Sequence, residues 1–108
     1  MIKNIDFETI LEMESLVEYK PGQVVSRTLS QSKALSLTLF AFAKGEEISS
    51  HASGGDAMVY VLDGTAEITI GGQKYILDKG KTIVMPAGIP HALLAVEPFK
   101  MLLVVIFP

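Results

Sequence analysis

Apolar residues in this chain fall in short runs, often alternating with polar ones, and turn residues interrupt them roughly every eight to twelve positions. Ala34–Ala43 shows the alternation best, with Leu35, Leu37, Leu39 and Ala41 on one side of the strand it predicts. Val24–Leu29, Met58–Leu62, Ala66–Ile70, Gln73–Leu77, Lys81–Met85, His91–Val96 and Met101–Phe107 have the same β-forming character. Met101–Phe107 is apolar throughout, which predicts a strand covered on both faces. About nine short strands without sustained helical periodicity predict an all-β sandwich or barrel.

The turns support that reading. Asp63-Gly64 supplies the positive φ of a tight hairpin, Gly71-Gly72 reverses the chain again, and Asp78-Lys79-Gly80 leads into the next strand. Pro86-Ala-Gly88-Ile-Pro90 forms a rigid corner before His91. The exception is Phe7–Glu14, where Asp6 as a cap and Glu8 in the first turn predict one or two helical turns. The alternative for that segment is an N-terminal strand that reaches across to a second subunit.

With 108 residues the chain is expected to form one domain spanning 1–108. Nearly half of the residues are apolar and the mean hydropathy is positive. A small domain with that surplus is expected to cover some of it against another copy of itself, which predicts a homodimer. No run approaches the roughly 20 apolar residues that span a bilayer, and Lys3, Asp6 and Glu8 interrupt any leader-like stretch. A cytoplasmic location follows as the expectation. A net charge of −3 without blocks of one sign argues against nucleic-acid and membrane-surface partners. The absence of cysteine excludes thiolate metal sites and thiol nucleophiles.

The candidate chemistry lies in two glycine- and proline-framed segments, each holding one of the two histidines. The first runs from Gly45 through His51, Ser53, Asp56 and Ala57 to Gly64; the second runs from Gly80 through Pro86 and Gly88 to His91, with Ala95 beyond. These frames resemble the two motifs of the cupin superfamily, motif one at 45–64 and motif two at 80–95. The resemblance implies a cupin jelly-roll barrel of the cupin-2, RmlC-like type. Cupins usually carry three histidines and a glutamate for a divalent metal (zinc, nickel, iron or manganese). Here His51 and His91 occupy two of those positions, while Ser53 and Ala57 stand at the second-histidine and glutamate positions.

Alternation along one strand would put His51, Ser53, Gly55 and Ala57 on a single face. Asp56 would then point away, unless Gly54-Gly55 forms a bulge that turns it inward as a replacement ligand. Val59 extends the same face, and Met85 leads up to the Pro86 corner. The resulting reading is a barrel that binds a small, largely apolar or planar molecule through His51, Ser53, Ala57, Val59, Met85 and His91, with weak or no metal dependence. One alternative is a metal-dependent cupin enzyme of dioxygenase, isomerase or decarboxylase type, using His51, His91 and Asp56. The other is a filled barrel that serves as an interaction module. No Gly-rich phosphate loop precedes a helix, and Arg27 is the single arginine, so neither nucleotide binding nor an arginine grip on phosphate is expected.

Overall fold

The computed structural model describes all 108 residues, and nine antiparallel strands account for most of them. In chain order they are β1 (Val24–Gln31), β2 (Leu35–Phe42), β3 (Glu47–His51), β4 (Asp56–Asp63), β5 (Thr65–Ile70), β6 (Gln73–Asp78), β7 (Thr82–Met85), β8 (His91–Ala95) and β9 (Phe99–Ile106). They form a five-stranded sheet, order β1-β2-β9-β4-β7, and a four-stranded sheet, order β3-β8-β5-β6. The chain changes sheet at every connection from β2 to β9 except β5 to β6, which stay together in the smaller sheet. This is the jelly-roll arrangement expected from the strand pattern.

The inner faces of both sheets meet in one core. Val59, Val61 and Met85 face it from the larger sheet, and Ala66, Ile68 and Leu93 from the smaller one. One end is closed by Phe42 and Phe99, in-register partners whose rings stack with centroids 4.4 Å apart. The other end is framed by Ala57, Met85 and Val105, partners across three adjacent strands.

Three local expectations change. Phe7–Glu14 is not an α-helix; the sole helical element is a 3₁₀ turn at Met13–Leu16. The N-terminal residues instead follow the edge of β1, where the Lys3 amide donates to Leu29 O and the Asn4 side chain to Thr28 O. Pairing with that otherwise open edge competes with helix formation. From there Leu16, Val17 and Tyr19 run over the outer face of the larger sheet, onto Leu39, Ala41 and Leu62. Tyr19 Oη donates to Asp63 at 2.5 Å, and burial first, then that carboxylate, holds the phenol well above its ordinary pKa.

The second change concerns Asp63-Gly64, which does not close a hairpin. Gly64 has the positive φ (+77°), but β4 and β5 lie in different sheets, so it forms a sheet-switching corner. Gly71-Gly72 does make the tight hairpin, joining Ile70 and Gln73 as paired residues. The third change is in β9. Its inner residues are buried, but on the outer face Ile106 is half exposed, so the strand is covered fully on one face only.

Candidate functional site

His51 and His91 are brought together by strand pairing. They are direct partners in the β3–β8 ladder, and Ile70 of β5 is the partner of His91 on its other side. Paired residues share a face, so His51, His91 and Ile70 form one row across the smaller sheet, at the end framed by Ala57, Met85 and Val105. The two imidazoles meet edge to face, with centroids 4.4 Å apart at 67°. They therefore lie on adjacent strands of the same sheet.

The hydrogen bonds fix how each ring is presented. His51 Nδ1 is 3.0 Å from Ser49 O, and His91 Nδ1 is 3.3 Å from Ile89 O. A carbonyl can only accept, so each Nδ1 carries the proton, and in the neutral rings both Nε2 atoms are left as bare acceptors. His51 is exposed, whereas His91 is only 3% exposed. No buried side-chain nitrogen or oxygen lacks a hydrogen-bond partner, and the one such bond of His91 is at Nδ1. Its Nε2 makes no hydrogen bond and is therefore not fully buried.

Burial lowers the His91 pKa below the ordinary imidazole value; the Ile89 carbonyl opposes this in part, and the neighbouring His51 adds to the lowering. His91 is thus neutral in the fold at a pH where it would begin to charge in the unfolded chain. On acidification through about pH 6.5 the unfolded state takes up a proton that the native state does not yet bind. Stability is then complete above that range and falls as pH drops toward the folded pKa, by at most about 1.4 kcal/mol per pH unit. Urea unfolding of wild type and His91→Gln between pH 7.5 and 5 is expected to show this component in wild type only.

The remaining candidate residues are placed differently from a single ligand row. β3 ends at His51 and β4 begins at Asp56, so the segment between them is a crossing from one sheet to the other. Ser53 lies in this crossing, where its Oγ accepts the Gly55 amide at 3.2 Å and its carbonyl accepts the Gly88 amide at 2.9 Å. Ala57, Val59 and Met85 do face inward, but as packed members of the buried core. Asp56 belongs to the outer face: regular alternation along β4 places it with Met58 and Tyr60, opposite Ala57. Its Oδ1 accepts the Ala87 amide at 2.8 Å and so caps the Pro86–Gly88 corner. The bulge that would have turned Asp56 inward does not form, and its role is to hold the loop that leads to His91.

These placements decide how the donor set suits a metal. No third histidine, cysteine, aspartate or glutamate stands with the pair. Even catalytic zinc sites use three protein ligands, so two imidazoles alone do not fit a tightly held divalent ion.

A double-sheet jelly roll with a histidine pair on its smaller sheet, at the end framed by Ala57, Met85 and Val105, defines a small β-barrel protein with one candidate polar site. The chain belongs to the cupin family, whose Cupin domain profile matches residues 38–107. It is similar to a conserved protein of unknown function from Streptococcus pyogenes, with 52% identity, 99% of this chain and 94% of that one covered, and a TM-score of 0.97. It is also similar to a cupin superfamily protein from Desulfitobacterium hafniense, with 35% identity, 100% and 99% covered, and a TM-score of 0.96. An RmlC-like cupin from Shewanella frigidimarina shares the fold, with 20% identity, 84% and 82% covered, and a TM-score of 0.75. No curated protein matches the chain.

Proposed function

We propose that this cupin binds a small organic molecule at the barrel mouth, through the Nε2 atoms of His51 and His91 and without a resident metal. The observation that carries this reading is the histidine pair: His51 and His91 stand side by side on paired strands, each with Nδ1 turned to a backbone carbonyl and Nε2 without a hydrogen-bond partner in the chain. His91 Nε2 makes no hydrogen bond within the chain, so water or a ligand is left to supply one. Two Nε2 acceptors side by side favour a ligand that donates, such as a hydroxyl. Ile48, Ile70 and Phe107, partly buried against the core, supply apolar surface around it. Because Ala57, Val59 and Met85 are packed, the ligand rests on the mouth and does not enter the barrel's depth.

Phenol and anisole are suitable probes, since they share a shape and only phenol donates a hydrogen bond. In ¹⁵N-labelled protein at pH 7.5, millimolar phenol is expected to shift both Nε2 resonances. Anisole is expected to bind about 5–10-fold more weakly, matching one hydrogen bond of about 1–1.4 kcal/mol. His91→Phe should abolish the difference. Equal responses to the two probes, or none, would favour the filled-barrel interaction module, which the packed interior also accommodates.

A further inference from the structure

Phe107 lies just past β9, at the end of the barrel that carries the histidines. Its amide donates to Ala34 O at 2.9 Å, which extends the β2–β9 ladder by one residue beyond Ile106. Alternation along β9 puts Phe107 on the same face as the buried Val105, and both pack in the inner core. Gly55 fixes the ring from the side. A Cβ added there would lie 2.4 Å from Ile106 O and 3.0 Å from the Phe107 ring, so the crossing that follows His51 runs directly against that ring.

This ring differs from the other phenylalanines of the barrel. Phe40, Phe42 and Phe99 pack ring against ring toward the opposite end, whereas Phe107 is half-buried and no aromatic side chain stacks on it. His51, His91 and Ile70 form their row on the smaller sheet, while Phe107 belongs to the larger one. Hydrogen-bond acceptors thus come from one sheet and a flat apolar surface from the other.

We propose that Phe107 is the specificity-determining residue of this site and selects an aromatic ligand carrying a hydroxyl, such as a phenol or a benzylic alcohol. The proposal rests on the hydroxyl-binding reading above and adds the carbon skeleton to it. An aromatic ring gains over a saturated one of the same size, because offset or edge-to-face contact with Phe107 adds to plain area burial. A flat ring is also rigid, so it loses little conformational freedom on binding. Ile48 and Ile70, the aliphatic residues beside the histidines, bury either kind of ring alike. The discrimination therefore falls to Phe107.

Benzyl alcohol and cyclohexylmethanol test this, because they present the same hydroxymethyl group on a flat and on a saturated ring. Titrated into ¹⁵N-labelled protein at pH 7.5, both are expected to move the His51 and His91 Nε2 resonances, benzyl alcohol binding about 5-fold more tightly. Phe107→Leu is expected to bring the two affinities together, and Phe107→Tyr, which keeps the ring, to retain the difference. A merely structural role would weaken both alcohols alike. Equal affinities in the native chain, or a preference that survives in Phe107→Leu, overturn the proposal and leave the hydroxyl reading standing. Resonances that move with neither alcohol overturn both. Should Phe107→Leu fail to fold, intermolecular NOEs in the native protein decide. Cross-peaks from the benzyl alcohol ring to the Phe107 ring are expected, and cross-peaks to the histidines alone overturn the proposal.

Discussion

Gly64→Ala is expected to cost at least about 4 kcal/mol of folding stability, enough to unfold a domain of ordinary marginal stability. Two effects combine at this position. Gly64 has φ +77°, and the added Cβ would lie 1.7 Å from Pro98 O and 2.8 Å from Phe99 Cα. Those atoms are backbone at the start of β9, so relieving the clash means displacing the central strand of the larger sheet. Gly72→Ala separates the two effects, since Gly72 has φ +84° and nothing within 4 Å of the new Cβ. It is expected to lose only the left-handed penalty of about 1–2 kcal/mol. Urea unfolding of both variants checks the difference. Equal losses would show that the close approach at Pro98 is not a constraint on the fold.

Phe99→Ala is expected to cost about 3–5 kcal/mol, or roughly 15–30 °C in Tm for a domain of this size. Phe99 is fully buried and stacks on Phe42 at an interplanar angle of 14°. Removing one ring leaves a cavity against the other and forfeits the aromatic contact. The pair closes the end of the barrel away from the histidines, which makes a second result informative. Phe99→Leu, retaining most of the volume, is expected to lose less stability and to keep the His51 and His91 resonances in place. If Phe99→Leu moves those resonances as much as a change beside His91 does, the barrel ends are mechanically coupled.

Much of this fold was legible in the residue pattern because strands and glycine turns leave local signals. The alternation of Leu35, Leu37, Leu39 and Ala41 marked β2, and Gly71-Gly72 marked a true hairpin. Asp63-Gly64 shows the limit of such signals. The dipeptide revealed a positive φ, but whether the next strand pairs or changes sheet depends on contacts with distant Pro98. The N-terminal segment failed for a related reason: its helical cues were local, and pairing of Lys3 and Asn4 with the edge of β1 overrode them.

The candidate site was legible in identity but not in arrangement. Motif spacing singled out His51 and His91. That they are direct partners on adjacent strands required the order β3-β8, which no short-range pattern encodes. Reading His51 to Ala57 as one continuous row likewise missed the crossing between sheets. For Asp56, plain alternation pointed outward, as found, but its bond to the Ala87 amide depends on a corner 31 residues away.

The measurement that bears most directly on the proposal of a metal-independent site is metal content by elemental mass spectrometry on protein purified without a histidine tag. Parallel ¹⁵N imidazole spectra would be recorded before and after addition of zinc, nickel, iron and manganese. The expected result is far less than one metal per chain, with added ions removed by dialysis and Nε2 resonances that return to their starting positions. Near-stoichiometric metal that survives dialysis, and is lost in His51→Ala/His91→Ala, would contradict this account and show that two imidazoles hold an ion here after all.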